Sequence, residues 1–142
     1  MNQPKYQLKA GEKLAKSKSS INLEFTDIED VLEDKDVFIA SGSIQYVKSL
    51  STLLASLTKK PRFLLLNRLP LYNGNQFVTL QNGGKVFYPQ YVFNYSNFIL
   101  SLEEIGYDLI DVWEDNLDSC IIPFYPEKSI RFYHGFYFKL RL

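Results

Sequence analysis

Two short apolar runs bracket a helix pattern and leave few choices of architecture. Val37-Phe38-Ile39-Ala40 lies in an unbroken strand-like segment at 36–41, and Phe63-Leu64-Leu65-Leu66 lies in a second one at 62–67. Runs of this kind, four to eight residues without alternation, are how strands buried on both faces of a parallel sheet read. Between them Tyr46, Leu50, Leu53, Leu54 and Leu57 recur at i, i+4, i+7, i+8 and i+11, and Lys59-Lys60-Pro61 ends the pattern. That spacing predicts an amphipathic helix. Strand, helix and strand in about thirty residues form a βαβ crossover, which is right-handed in nearly all known cases. The expected class is therefore α/β.

The flanking segments add elements of other kinds. Pro4 suggests a helix start, and Leu8, Leu14 and Ala15 make a thin apolar stripe through lysine-rich residues 4–16. Residues 23–25 read as a short strand, and 27–33 as an acidic helical turn. In 69–93, strand-like residues 77–81 and 85–88 flank Asn82-Gly83-Gly84, the signature of a hairpin that would form a lid over the sheet. Ser96 is placed to cap a helix carrying Phe98, Ile99, Leu102 and Ile105, with Gly106 as its stop. Residues 107–113 and 131–142 read as two closing strands, antiparallel to each other.

The 142 residues, 46% of them hydrophobic, suit a single domain spanning 1–142. Sixteen basic and sixteen acidic residues cancel, which removes the cationic excess that nucleic-acid binding through net charge requires. No apolar stretch approaches the roughly 20 residues of a membrane span, so no span is expected. The first twenty residues hold five lysines and one acid but no apolar core of a secretory signal. Cys120 is the lone cysteine, so neither an intramolecular disulfide nor a CxxC metal site can form, no metal is expected, and a cytoplasmic location is the natural default. Charge is laid down in blocks: +4 over 1–20, −6 over 21–36, +6 over 37–100, −8 over 101–127 and +4 over 128–142. Between Val37 and Leu102 there is no carboxylate and no histidine, so acid–base chemistry in that stretch would have to borrow a group from elsewhere.

The strings Asp36-Val-Phe-Ile-Ala-Ser-Gly-Ser-Ile-Gln-Tyr46, Phe63-Leu-Leu-Leu-Asn-Arg-Leu-Pro70, Phe77-Val-Thr-Leu-Gln81, Tyr88-Pro89 and Gly135-Phe-Tyr-Phe-Lys139 occur in that order. Together they resemble the second half of a class I S-adenosylmethionine-dependent methyltransferase, in particular a methyltransferase family that accompanies surface-polysaccharide genes. The resemblance covers residues 4–142. It implies a partial Rossmann-like sheet that lacks its first two strands and ends in a reversed antiparallel hairpin. It also implies S-adenosylmethionine as cofactor, with transfer of a methyl group to an oxygen or nitrogen of a small-molecule or saccharide acceptor. The glycine-rich loop and the ribose-binding acid of that family are not in this chain, whose glycines at 74, 83 and 84 sit in turns. The chain alone is therefore expected to be inactive, and a non-catalytic remnant or interaction module is the alternative. A missing neighbour for the strand at 37–41 would leave a sheet edge through which the chain could self-associate.

Several side chains are candidates for the chemistry, each with a plainer reading beside it. Ser41, Gly42, Gln45 and Tyr46 follow a buried strand at its carboxyl end, where ligands of open α/β sheets sit. By resemblance they would face the methionine end of the cofactor and the acceptor; equally, a serine could cap a helix and Tyr46 could be core. Asp27 and Ile28 match the adenine-binding place of the family, or are a solvated acidic turn. Asn67 and Arg68 end the second apolar strand and could meet an acceptor, or lie on the surface. His134 alone has an ordinary pKa near neutrality and is the obvious general base, unless it is packed among its aromatic neighbours. Tyr72, Phe77, Phe87, Tyr88, Tyr91, Phe93 and Tyr95 could stack on a sugar or base, or simply cover the sheet. Cys120 reads as inert. His134, Arg68 and Tyr46 are thus the catalytic candidates; Asp27, Ile28, Ser41, Gly42 and Gln45 are the cofactor-binding ones.

Overall fold

The apolar runs at 37–41 and 63–69 pair side by side, in parallel, as the βαβ pattern requires. The computed structural model describes residues 5–19, 22–26, 32–117 and 119–142. They fall into two compact units, 1–32 and 33–142. In the first, α1 spans Lys5–Ser17, as its Leu8, Leu14 and Ala15 stripe predicted. Residues 22–26 take part in no ladder, which corrects the strand expected at 23–25. Three residues without a partner strand to accept their hydrogen bonds have nothing to hold them in a sheet.

In the second unit, β1 (Val37–Ser41) pairs with β2 (Phe63–Leu69) from Val37 opposite Phe63 to Ser41 opposite Asn67. The connecting helix is shorter than its periodicity suggested. A 3-10 turn covers Ile44–Tyr46, and α2 runs only over Leu50–Ala55. Ser49 makes the helix start late because its extended backbone places its hydroxyl to accept from the Thr52 amide at 3.1 Å, an N-cap that bars helix from continuing back to Tyr46. Next come β3 (Leu71–Tyr72), β4 (Phe77–Asn82), β5 (Phe87–Asn94), α3 (Tyr95–Glu104), β6 (Tyr107–Asp115) and β7 (Tyr133–Leu140). α3 is capped by Asn94, whose side chain accepts from the Asn97 amide at 2.8 Å, and not by Ser96.

The strands form two open sheets, ordered β1-β2-β7-β6 and β3-β5-β4. β7 is antiparallel to both β2 and β6, so the chain closes on the reversed pair expected from 107–113 and 131–142. The hairpin expected at 77–88 is β4 and β5, registered from Phe77 opposite Val92 to Asn82 opposite Phe87. One face of the first sheet packs against α2 and α3. Leu64, Leu66, Phe136 and Phe138 from the sheet meet Leu54 and Leu102 from the helices, all completely buried. Each such side chain contributes roughly 1.5–3 kcal/mol.

β1 departs from its predicted burial. Its alternation sends Ala40 into the core, whereas Val37 is 44% and Ile39 70% exposed on the opposite face. An apolar run marks a strand but does not say whether both faces are covered. Among the described residues, β1 has one neighbour, β2, and is an edge strand.

Candidate ligand cavity at the carboxyl ends of the parallel strands

The carboxyl ends of β1 and β2 open into a cavity of about 230 Å³. Ser41 and Gly42 line it as β1 ends. Gly42 adopts a φ of +65°, a conformation that favours glycine, and its N–H donates to the Asn67 carbonyl at 3.0 Å. That bend starts the Ile44–Tyr46 turn and brings Gln45 and Tyr46 into the wall. Gln45 is 3% exposed, and its Oε1 has no hydrogen-bond partner among the described residues. The Tyr46 hydroxyl donates to Gln81 Oε1 on β4, and its ring meets Tyr88 on β5 edge-to-face at 6.5 Å. These two contacts tie the second sheet to the cavity wall.

Arg68 enters the cavity from an irregularity in β2. Leu66 is opposite Phe136 and Leu69 is opposite His134, so β2 carries one residue more than β7 over this interval, a β-bulge. Arg68 lies within it at a φ of +60°, a region that costs a non-glycine residue on the order of 1–3 kcal/mol. Bulges re-aim side chains, and here the arginine becomes part of the lining. Ser119 and Tyr133 complete it. Burial pushes the Tyr133 hydroxyl up to about 12, with Cys120 adding to the shift, so it stays protonated at neutral pH. Behind it, Gln90 Nε2 donates to the buried Cys120 Sγ at 3.6 Å, and burial raises the thiol's pKa, in keeping with an inert cysteine.

Five residues singled out from sequence, Ser41, Gly42, Gln45, Tyr46 and Arg68, therefore meet in one cavity. His134 does not line it. Its ring lies 5.2 Å from Tyr95 and 6.3 Å from Phe136, in the aromatic layer under α3, and burial lowers its pKa against a smaller opposing effect of Glu114. Asn67 Oδ1 accepts from the Trp113 indole N–H at 2.9 Å, so its side chain braces the sheet. Asp27 and Ile28 lie outside the described residues. Of the aromatic set, Tyr72 packs on Phe77, Tyr91 on Phe93 and Tyr95 on Phe136. Gln81, Ser119 and Tyr133 were not anticipated. Gln81 could have been found from alternation along β4, which puts it on the face opposite the exposed Val78 and Leu80. Among the described residues, no three His, Cys, Asp or Glu side chains are grouped so as to hold a metal ion, and no helix is long and apolar enough to cross a membrane.

The fold and the cavity define an open-sheet α/β protein with a small, mostly polar cavity at the carboxyl ends of its parallel strands. Compared with known proteins, the chain matches no family model and no curated sequence. Among solved structures, it is similar to a protein from Listeria monocytogenes provisionally assigned as an S-adenosylmethionine-dependent methyltransferase. The two share 14% identity and a TM-score of 0.57, over 82% of this chain and 68% of the other. The glycopeptide N-methyltransferase MtfA also matches, in complexes with S-adenosyl-L-homocysteine and with sinefungin. Those matches have 13% and 14% identity and a TM-score of 0.43, over 77% and 78% of this chain. The chain spans 56% and 59% of those two structures. The chain thus has a mixed α/β, methyltransferase-like fold with open sheets.

Proposed function

We propose that this chain is the carboxyl-terminal half of an S-adenosylmethionine-dependent methyltransferase and that its cavity receives the ligand end at which methyl transfer takes place. The observation that carries this reading is the convergence of Ser41, Gly42, Gln45, Tyr46 and Arg68 at the carboxyl ends of β1 and β2. The acceptor would be a small molecule or saccharide offering an oxygen or nitrogen. S-adenosylmethionine, when bound, supplies the methyl group. The chain's own residues align the acceptor, which is the main demand of an in-line displacement. The bend at Gly42 sets the direction of the Gln45 amide, and the Tyr46–Gln81 hydrogen bond holds β4 beside the opening.

The described residues fit only part of the cofactor. A cavity of about 230 Å³ is below the roughly 300–1,000 Å³ that encloses a drug-sized ligand, and none of its eight lining residues is a carboxylate able to hold ribose hydroxyls. Losing even one charged hydrogen bond costs about 1.5–3 kcal/mol, so the ribose acid and loop amides together account for several powers of ten in affinity. The isolated chain is expected to bind S-adenosylmethionine in the millimolar range and to show no measurable methyl transfer. Isothermal titration of the 142-residue chain checks this; a micromolar dissociation constant would overturn it. The alternative, a non-catalytic interaction module, draws on the open edge of β1. It would be favoured by self-association of a chain that binds no cofactor at any concentration reached. A cytoplasmic location goes with either reading.

A further inference from the structure

We propose that a second cleft, between the start of α2 and the first turns of α3, holds one uncharged sugar ring of a larger ligand. The proposal rests on the methyltransferase reading only where it makes that ring part of the methyl acceptor; the chemistry of the cleft stands without it.

Two helix caps build the cleft. Ser49 accepts from the Thr52 amide and fixes where α2 begins, which brings Lys48 and Ser51 into the lining. Asn94 caps α3 and also reaches beyond it. Its Oδ1 accepts from the Asn97 amide at 2.8 Å while its Nδ2 donates to the Gly74 carbonyl at 2.9 Å. The turn between β3 and β4 is thereby held at the start of the helix, and Gln76 from that turn joins Asn97 and Ser101 in the lining. Ser41 and Tyr46 line the first cavity and Lys48 and Ser51 this cleft, so one short segment of chain serves both openings.

The lining selects the ligand. Among the described residues, the side-chain amides of Gln76 and Asn97 have no hydrogen-bond partner. Each therefore offers a donor and an acceptor together. Ser101 Oγ donates to the Phe98 carbonyl at 2.9 Å and keeps its lone pairs to accept. Sugar hydroxyls also donate and accept, so they answer both halves of each amide. A bare anion only accepts, which leaves the amide oxygens and the Ser101 oxygen unmet. A cation meets no carboxylate in this lining and is opposed by Lys48, whose exposed ammonium is a further donor to hydroxyls. Leu50, Phe93 and Phe98, buried in the core, border the cleft and give the C–H face of a ring an apolar neighbour. Its volume of about 230 Å³ is below the roughly 300–1,000 Å³ of sites for drug-sized ligands and suits one ring.

The test is an amide NMR titration of the full chain with glucose, galactose and N-acetylglucosamine, beside cyclohexanol as a ring without a hydroxyl array and inorganic phosphate as an anion without a ring. Saturable shifts of the Gln76 and Asn97 side-chain amides and of the Ser101 backbone amide are expected with at least one sugar, roughly tenfold tighter than with either control. Gln76→Ala combined with Asn97→Ala should weaken that binding roughly tenfold. Both side chains are exposed and the Asn97 backbone amide keeps its bond to the cap, so spectral dispersion should be retained. Gln76→Ala alone, in a turn outside every helix and strand, should weaken binding about threefold. No saturable shift with any of the three sugars, equal or tighter binding of cyclohexanol or phosphate, or sugar binding unmoved by the double substitution overturns the proposal. S-adenosylhomocysteine, titrated in parallel, is read at Gly42 and Tyr46. Shifts there without sugar binding would overturn the cleft and leave the methyltransferase reading in place; sugar binding without them would support the cleft and count against that reading.

Discussion

Gly135 shows how one missing side chain fixes a neighbour. A Cβ at this position of β7 would overlap the Trp113 indole, which therefore lies across the glycine from β6 and reaches Asn67 on β2. Gly135→Ala should displace the ring, break the hydrogen bond to Asn67 and destabilise the domain by about 1–3 kcal/mol. Trp113 is the single tryptophan, so its emission during urea unfolding reads both the displacement and the stability loss. His134 predicts a pH effect. Burial lowers its pKa below the ordinary 6.5, so between the two values the unfolded chain binds the proton and the folded chain does not. Its stabilising effect is complete above 6.5 and is lost as pH falls through the lowered folded value. Urea midpoints from about pH 7.5 to about pH 5 should therefore fall more steeply for the native chain than for His134→Phe. Parallel slopes would place the histidine in solvent.

At the scale of elements, Tyr46 in the 3-10 turn ties β4 and β5 of the second sheet to the cavity wall, beside the packing of Val92 on Tyr133. Tyr46→Phe leaves Gln81 Oε1 without its donor and should weaken the attachment of β4 and β5 by about 1 kcal/mol. Faster hydrogen exchange over 77–94, with β2 and β7 unchanged, is the expected signature. The βαβ unit was legible because apolar runs and a 3.6-residue period are local signals, and so were the strand-end residues 41–46. The length of α2 was not, because one serine hydroxyl overrides five well-spaced apolar residues. The cap of α3 shifted from Ser96 to Asn94 for a similar reason: either residue could cap, and the strand that ends at Asn94 decides which one does. The bulge at Arg68 is invisible in sequence, since it arises from register against β7 some seventy positions on. Ser119 and Tyr133 reach the cavity from a loop and a strand whose place depends on the whole sheet.

For the molecule as a whole, the consequential feature is the open side of β1. Among the described residues its outer N–H and C=O groups have no partner strand, and Val37 and Ile39 expose apolar surface beside them. Unprotected edges of this kind recruit other strands. A second copy is suited to the place. Antiparallel pairing of two β1 strands about Ile39 would set the acidic approach to one strand, Asp34 and Asp36, near the far end of the other, which is followed in sequence by Lys48 and by no carboxylate up to Leu102. Dimerisation or aggregation of the isolated chain is therefore expected, weaker at high salt because of that charge contribution. Light scattering across a concentration series should show mass rising above 16.5 kDa. Ile39→Lys, which puts a charge on an exposed position of the edge without touching the core, should return the chain to monomer at the same concentrations. A monodisperse native chain at high concentration, or a variant that associates as strongly as the native chain, would show that this edge is not the contact.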